Sequence, residues 1–212
     1  ETVSLSVKLS EAVTVTGVPT LLLNNGGVAT YTGGTGTDTL TFSYTPLAGQ
    51  STSDLATKST GALVGTIQDL SGNAVVASGF DNVNPLGTLL VDAVLPTVSS
   101  IVYGANDGKL SLGETVSLSV KLSEAVTVTG VPTLLLNNGG VATYTGGTGT
   151  DTLTFSYTPL AGQSTSDLAT KSTGALSLVG ATIKDFSGNG VTASGFDNVN
   201  PVGTLLVDAV LP

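Results

Sequence analysis

Residues 1–63 recur without a single change at residues 114–176. An internal repeat of that length constrains the fold more than any composition does. Solenoids repeat every 20–50 residues or so, whereas a unit of roughly 100–115 residues is the size of one globular domain. Beyond the identical stretch the copies diverge mildly. The first ends "VGTIQDLSGNAVVASGFDNVNPLGTLLVDAVLP" at Pro96. The second ends "SLVGATIKDFSGNGVTASGFDNVNPVGTLLVDAVLP" at Pro212, with three extra residues. The expected domains are therefore residues 1–96 and 97–212. Residues 97–113, "TVSSIVYGANDGKLSLG", precede the repeat only in the second copy. They read as a strand, a turn and the entry to the next strand. The first domain is thus expected to lack its first strand. The chain reads as a cut through a longer array; completion of the domain by a strand from another chain is the alternative.

The local pattern is that of strands. Val3, Leu5, Val7 and Leu9 alternate with Ser4, Ser6 and Lys8, the period of a half-buried strand. Val13 and Val15 continue the alternation. "TLLLNNGGVATYT" reads as two short strands around Asn24-Asn25-Gly26-Gly27, with a type I′ turn expected. Leu40, Phe42 and Tyr44 form an inward face against Thr37, Thr39, Thr41, Ser43 and Thr45. Further strands are expected near Leu63–Gln68, Ala74–Ala77 and Thr88–Asp92. No window carries helical periodicity, and "SDLATKS" allows one short helical turn at most. The predicted fold class is all-β: two tandem immunoglobulin-like antiparallel β-sandwich domains.

Composition removes whole classes of function. The chain has no Cys, His, Arg, Met or Trp, and its net charge is −9. Zinc fingers, iron–sulfur clusters and Cys- or His-based catalysis are excluded, as is a disulfide scaffold. With Lys as its only basic residue type, it lacks the footprint for nucleic acid. No apolar run approaches the ~18 residues of a membrane span, and neither a basic n-region nor a starting Met marks a signal peptide. Lys8 and Lys121 fall on the outward phase of their strands, which argues against a Ser–Lys catalytic pair and against an intramolecular isopeptide bond. Without Trp, a pair of carboxylates for glycoside hydrolysis lacks its usual sugar platform. The chain reads as non-enzymatic.

Three local features carry a resemblance: "DG-(x)4-G-E-T-V" at Asp107–Val116, "LSEAV" at Leu9–Val13 and Leu122–Val126, and "I-x-D-x-S-G-N" at Ile67–Asn73 and Ile183–Asn189. The sequence resembles the bacterial Ig-like tandem repeats of large secreted adhesins and cell-surface proteins. The resemblance spans nearly the whole chain and is specific for the module, not for its role. The linker "VDAVLP" and the "SGFDNVNPxG" segment depart from it. It implies an extracellular, cell-surface location, a part in cell adhesion or biofilm, and Ca2+ held at domain junctions.

The acidic residues carry the remaining chemistry. In a sandwich whose loops alternate between its poles, Asp92 leaving the first domain is expected to meet the loops at Glu124 and Asp185. Asp197 and backbone carbonyls would complete a shell. Crowded carboxylates call for a cation or a proton, and Ca2+ takes six to eight oxygen ligands without nitrogen or sulfur. Glu11, Asp69 and Asp81 are the equivalent half-site of the first domain, and Asp208 the donor to a following one. Asp107 with Asp167 is a weaker pair at the opposite pole. The competing reading makes Asp185 an Asx-turn former, Glu124 an acceptor of backbone N–H groups and Asp92 a solvated side chain. The expected partners are neighbouring repeats of the same chain, with like subunits in a fibre as an alternative. The leading function is a structural spacer stiffened by Ca2+. The alternatives are a filament subunit assembled by strand exchange and a glycan- or ice-binding module displaying the Thr37–Thr45 ladder.

Overall fold

The computed structural model describes residues 1–211 and is all-β, with two short 3-10 turns. It divides into two compact units, Glu1–Val94 and Leu95–Pro212. The first unit holds β1 (Val3–Leu22), β2 (Val28–Gly33), β3 (Thr37–Tyr44), β4 (Ser51–Thr52), β5 (Leu63–Asp69) and β6 (Val91–Asp92). The second holds β7 (Val98–Tyr103), β8 (Lys109–Ser111), β9 (Val116–Thr129), β10 (Thr133–Leu135), β11 (Val141–Gly146) and β12 (Thr150–Tyr157). It continues with β13 (Ser164–Thr165), β14 (Leu176–Ser177), β15 (Thr182–Asp185) and β16 (Leu206–Asp208).

In the first unit the sheet order is β2-β3-β1-β5, and β4 pairs with β6 separately. β1 runs from Val3 as one long strand rather than as several short ones. Its register shifts between Lys8 and Val13 against β3, and between Thr16 and Thr20 against β5. Gly17 at φ 73 and Pro19, which has no N–H to give the ladder, mark the second irregularity. In the second unit the same residue types at Gly130 and Pro132 separate β9 from β10. The large sheet there runs β14-β10-β11-β12-β9-β15, with β7 added to β9; a smaller sheet runs β13-β16-β8. β16 and β8 are parallel; the other pairings are antiparallel. Leu110 of β8 and Val207 of β16 share one buried core with Val116, Leu118, Phe155 and Tyr157 of the large sheet.

The alternation holds on β3 and β12, where Leu40, Phe42 and Tyr44, and Leu153, Phe155 and Tyr157, are buried. Tyr31 meets Phe42 edge-on at 5.8 Å and 72°, a favoured aromatic geometry. The hydroxyl ladder on the other face turns its bonds inward. Thr37 Oγ1 donates to the carbonyls of Gly34 and Thr39, and Thr41 Oγ1 to that of Gly33.

Several local expectations change. The Asn24–Gly27 hairpin does not use a type I′ turn, because no positive φ falls on Asn25. Gly26 N donates to Leu23 O, Leu23 N donates to Gly27 O, and Gly26 alone takes φ 77. That is a type I turn closed by a left-handed glycine. Asn25 is held by its side chain: Oδ1 accepts from Gly27 N, and Nδ2 donates to Tyr44 Oη. Ala74–Ala77 is not a strand. Only the Gln68↔Ala74 bridge forms, and the chain then enters the 3-10 turn Ala77–Phe80. Strand structure near Thr88–Asp92 shrinks to Val91–Asp92. "SDLATKS" takes no helix, since Leu55 N and Thr57 N donate to the carbonyls of Leu89 and Val83.

The sequence shared by the two units is buried differently. Val116, Leu118, Val120 and Leu122 are all at most 1% exposed. Their counterparts Val3, Val7 and Leu9 are half-buried, and Leu5 is 9% exposed. For Leu118, Val120 and Leu122 the cause is β7, which lies along β9 with Val98 opposite Leu122, Ile101 opposite Val120 and Tyr103 opposite Leu118. Among the described residues no strand takes that position on β1.

Candidate metal centre

The loop "D-x-S-G-N" is a tight hairpin built around its aspartate. Asp69 N donates to Asn73 O, Gly72 N donates to Asp69 O, and Gly72 supplies φ 90. The Asp69 carboxylate then closes the loop from inside. Oδ1 accepts from Ser71 N and Asn73 N, and Oδ2 from Asn73 Nδ2, each at 2.8 Å. Those bonds, first the Asn73 amide, hold the Asp69 carboxyl below its usual range. Asp185 repeats the arrangement with Ser187 N, Asn189 N and Asn189 Nδ2. It is deeper, 4% exposed and one of few buried polar residues. A buried carboxylate must be compensated; here amides of its own loop do part of this.

Asp92 sits at the end of β6, half-buried, and its Oδ1 accepts from Val94 N. Glu124 is not in a loop as expected: it lies half-buried within β9, where the register against β12 shifts, beside Ser123, whose N–H and Oγ both bond the backbone of Thr97. Asp92, Glu124 and Asp185 form an acidic triad that could bind a metal ion. All three ligands are carboxylate oxygens. That is a hard donor set, suited to Ca2+ or Mg2+ and not to a thiophilic metal. An oxygen already accepting an N–H bond keeps a second lone pair for a cation, so the Asx-turn role of Asp185 and ligation are compatible.

The other predicted acidic residues have separate local tasks. Asp197 is outside the triad; its Oδ1 accepts from Ala175 N at 2.7 Å. Asp81 does the same for Ala62 N at 2.7 Å. Glu11 and Asp69 line one groove of the first unit, without Asp81. Asp208 is exposed at the end of β16 and caps Val210 N, as Asp92 does Val94 N. Asp107 turns the chain by accepting from Lys109 N. Asp167 instead ties down the late loop, accepting from Leu205 N and Asn200 Nδ2. The two are not part of a metal-binding group among the described residues.

Sequence reading missed the clasp made by Asp54 and Asp167. Asp54 accepts from Asn84 Nδ2 at 2.8 Å and Leu89 N at 3.0 Å, and these bonds keep its carboxyl low. The signal was available: an Asp and an Asn about 30 residues apart, kept in both copies. It also missed Asn82 and Asn198, the two non-glycine residues at positive φ among the described residues, 51 and 53. Lys8 and Lys121 are exposed and pair with Asp38 and Asp151.

No protein-family model matches the chain, and comparisons with characterised proteins and with solved structures give no match. No helix among the described residues is long and apolar enough to cross a membrane.

Proposed function

We propose that this chain is a non-enzymatic structural spacer from a long extracellular bacterial adhesin or surface protein, stiffened by Ca2+ bound through Asp92, Glu124 and Asp185. The acidic triad carries the reading. A cation shared by these three side chains would tie together the chain segments that carry them. Ca2+ would supply charge neutralisation and a rigid tie, not a reaction. Extracellular modules commonly bind Ca2+ at ~10⁻⁴–10⁻³ M, so such a site fills outside the cell and empties in the cytoplasm. The duplication of residues 1–63, the absence of Cys and His, and the Ig-like sequence features support a repeated mechanical element.

The experiment is small-angle scattering with thermal melting, in millimolar Ca2+ and in excess chelator. The expected result is a particle that loosens and melts earlier in chelator, with the difference lost in Glu124→Gln. Superimposable curves in both buffers would remove Ca2+ from the reading and leave the three carboxylates as turn formers and caps.

A further inference from the structure

The two units contain an identical stretch in two states, one with a strand laid against it and one without. In the second unit β7 is antiparallel to β9, with Val98 opposite Leu122, Ile101 opposite Val120 and Tyr103 opposite Leu118. Ile101 is 2% exposed. The Tyr103 hydroxyl donates to Leu168 O, Gly104 N to Ser117 O, and Thr192 N to Pro96 O. In the first unit the residues that would receive such a strand are Leu5, Val7 and Leu9, with Leu55 O and Ser4 O as the equivalent acceptors. They border two adjoining hollows, of about 360 Å³ beside Val7, Leu9 and Phe80 and about 140 Å³ beside Leu5, Val7 and Leu55. Leu89 is 40% exposed, whereas its counterpart Leu205 is fully buried. An unpaired edge beside an apolar hollow is a site for strand addition.

We infer that the Leu5–Leu9 edge of β1 is an acceptor site for an extended segment with the chemistry of residues 97–104: a threonine, then Val, Ile and Tyr directed inward, with two serines and an exposed valine between them, ending in glycine. The occupant binds antiparallel to β1. Its isoleucine sits opposite Val7, its tyrosine hydroxyl donates to Leu55 O, and its glycine N–H donates to Ser4 O. The same contacts are made in the second unit by an identical acceptor sequence, so residue types and register both come from the molecule itself. A second copy of this chain is the poorer donor. Its own 98–103 strand is already paired along β9, and releasing it would expose Ile101 and the second core. This acceptor site does not depend on bound metal.

The test uses the full chain in excess chelator, with a fluorescent peptide of residues 97–113 added in trans. The expected result is saturable binding, with slowed amide exchange along residues 5–9 and a higher melting temperature for the first unit. A peptide carrying Ile101→Asp is expected to bind at least roughly tenfold more weakly, because one buried aliphatic side chain is worth about 1.5–3 kcal/mol. Val7→Asp in the protein should abolish binding. The peptide variant keeps the test decisive if the protein variant unfolds. No binding, equal binding of the Ile101→Asp peptide, or protection elsewhere would overturn the assignment. Concentration-dependent self-association that excludes the peptide would also overturn it, in favour of a second copy.

Discussion

Asn200 Nδ2 donates to Asp167 Oδ2 at 2.9 Å, tying the late loop of the second unit to the start of the segment after β13. Asp167 Oδ1 takes Leu205 N as well, which fixes the point where Leu205 enters the core. Asp167→Ala should therefore loosen both ends of the loop. We expect a loss of about 1–3 kcal/mol in the second unit, read as a lower denaturation midpoint with little change in its slope.

Identical sequence makes a controlled pair of substitutions possible. Leu122 is 1% exposed beneath β7, whereas Leu9, its twin, is half-buried. Leu122→Ala should cost about 2–5 kcal/mol. Leu9→Ala should cost about 1 kcal/mol or less, since its site is already open to solvent. Equal losses in chemical denaturation would mean that β7 does not set the difference.

The hairpin glycine next to the tyrosine has no room for a side chain. A Cβ on Gly140 would stand 2.5 Å from the ring of Tyr157, whose hydroxyl is held between Asn138 and Gln163. Gly140→Ala should push the ring out of this network at a cost of about 1–3 kcal/mol. The change is measurable in melting and in the tyrosine near-ultraviolet dichroism.

Acid and alkali should act on different groups. The carboxyls of Asp54 and Asp69 are held below their usual value by Asn84 and Asn73. A depressed folded pKa gives stability that is present above the unfolded value near 3.8 and lost as pH falls through the folded one. Acid titration should thus destabilise the first unit below about pH 4, less so in Asp69→Asn. Burial, and then the charge of Asp167, raises the Tyr103 hydroxyl, and burial raises that of Tyr157. A raised folded pKa gives stability that is full below the unfolded value of 10.0 and lost as pH rises toward the folded one. The second unit should weaken above about pH 10, less so in Tyr103→Phe.

Strand class was legible because period-two alternation on residues such as Leu40, Phe42 and Tyr44 depends only on the chain itself. The duplication was legible for the same reason. The state of Val7 was not: Val7 and Val120 share their neighbours in sequence, and only β7 distinguishes them. The grouping of Asp92, Glu124 and Asp185 could be argued from loop order, but the work of Asp81 and Asp197 on the backbone of Ala62 and Ala175 could not. An acceptor carboxylate and a ligand carboxylate look alike in a sequence. The turn at Asn24–Gly26 went astray because Asn-Gly permits two hairpin geometries, and the Asn25 side chain selects the one with a single left-handed residue.

The parallel pair β8–β16 gives the second unit a property that matters to any chain pulled from its ends. Leu206, Val207 and Asp208 lie beside Lys109, Leu110 and Ser111, with one strand near the start of the unit and the other near its end. Tension applied across β8 and β16 loads these rungs lengthwise and together, so rupture requires them to fail as a group rather than one after another.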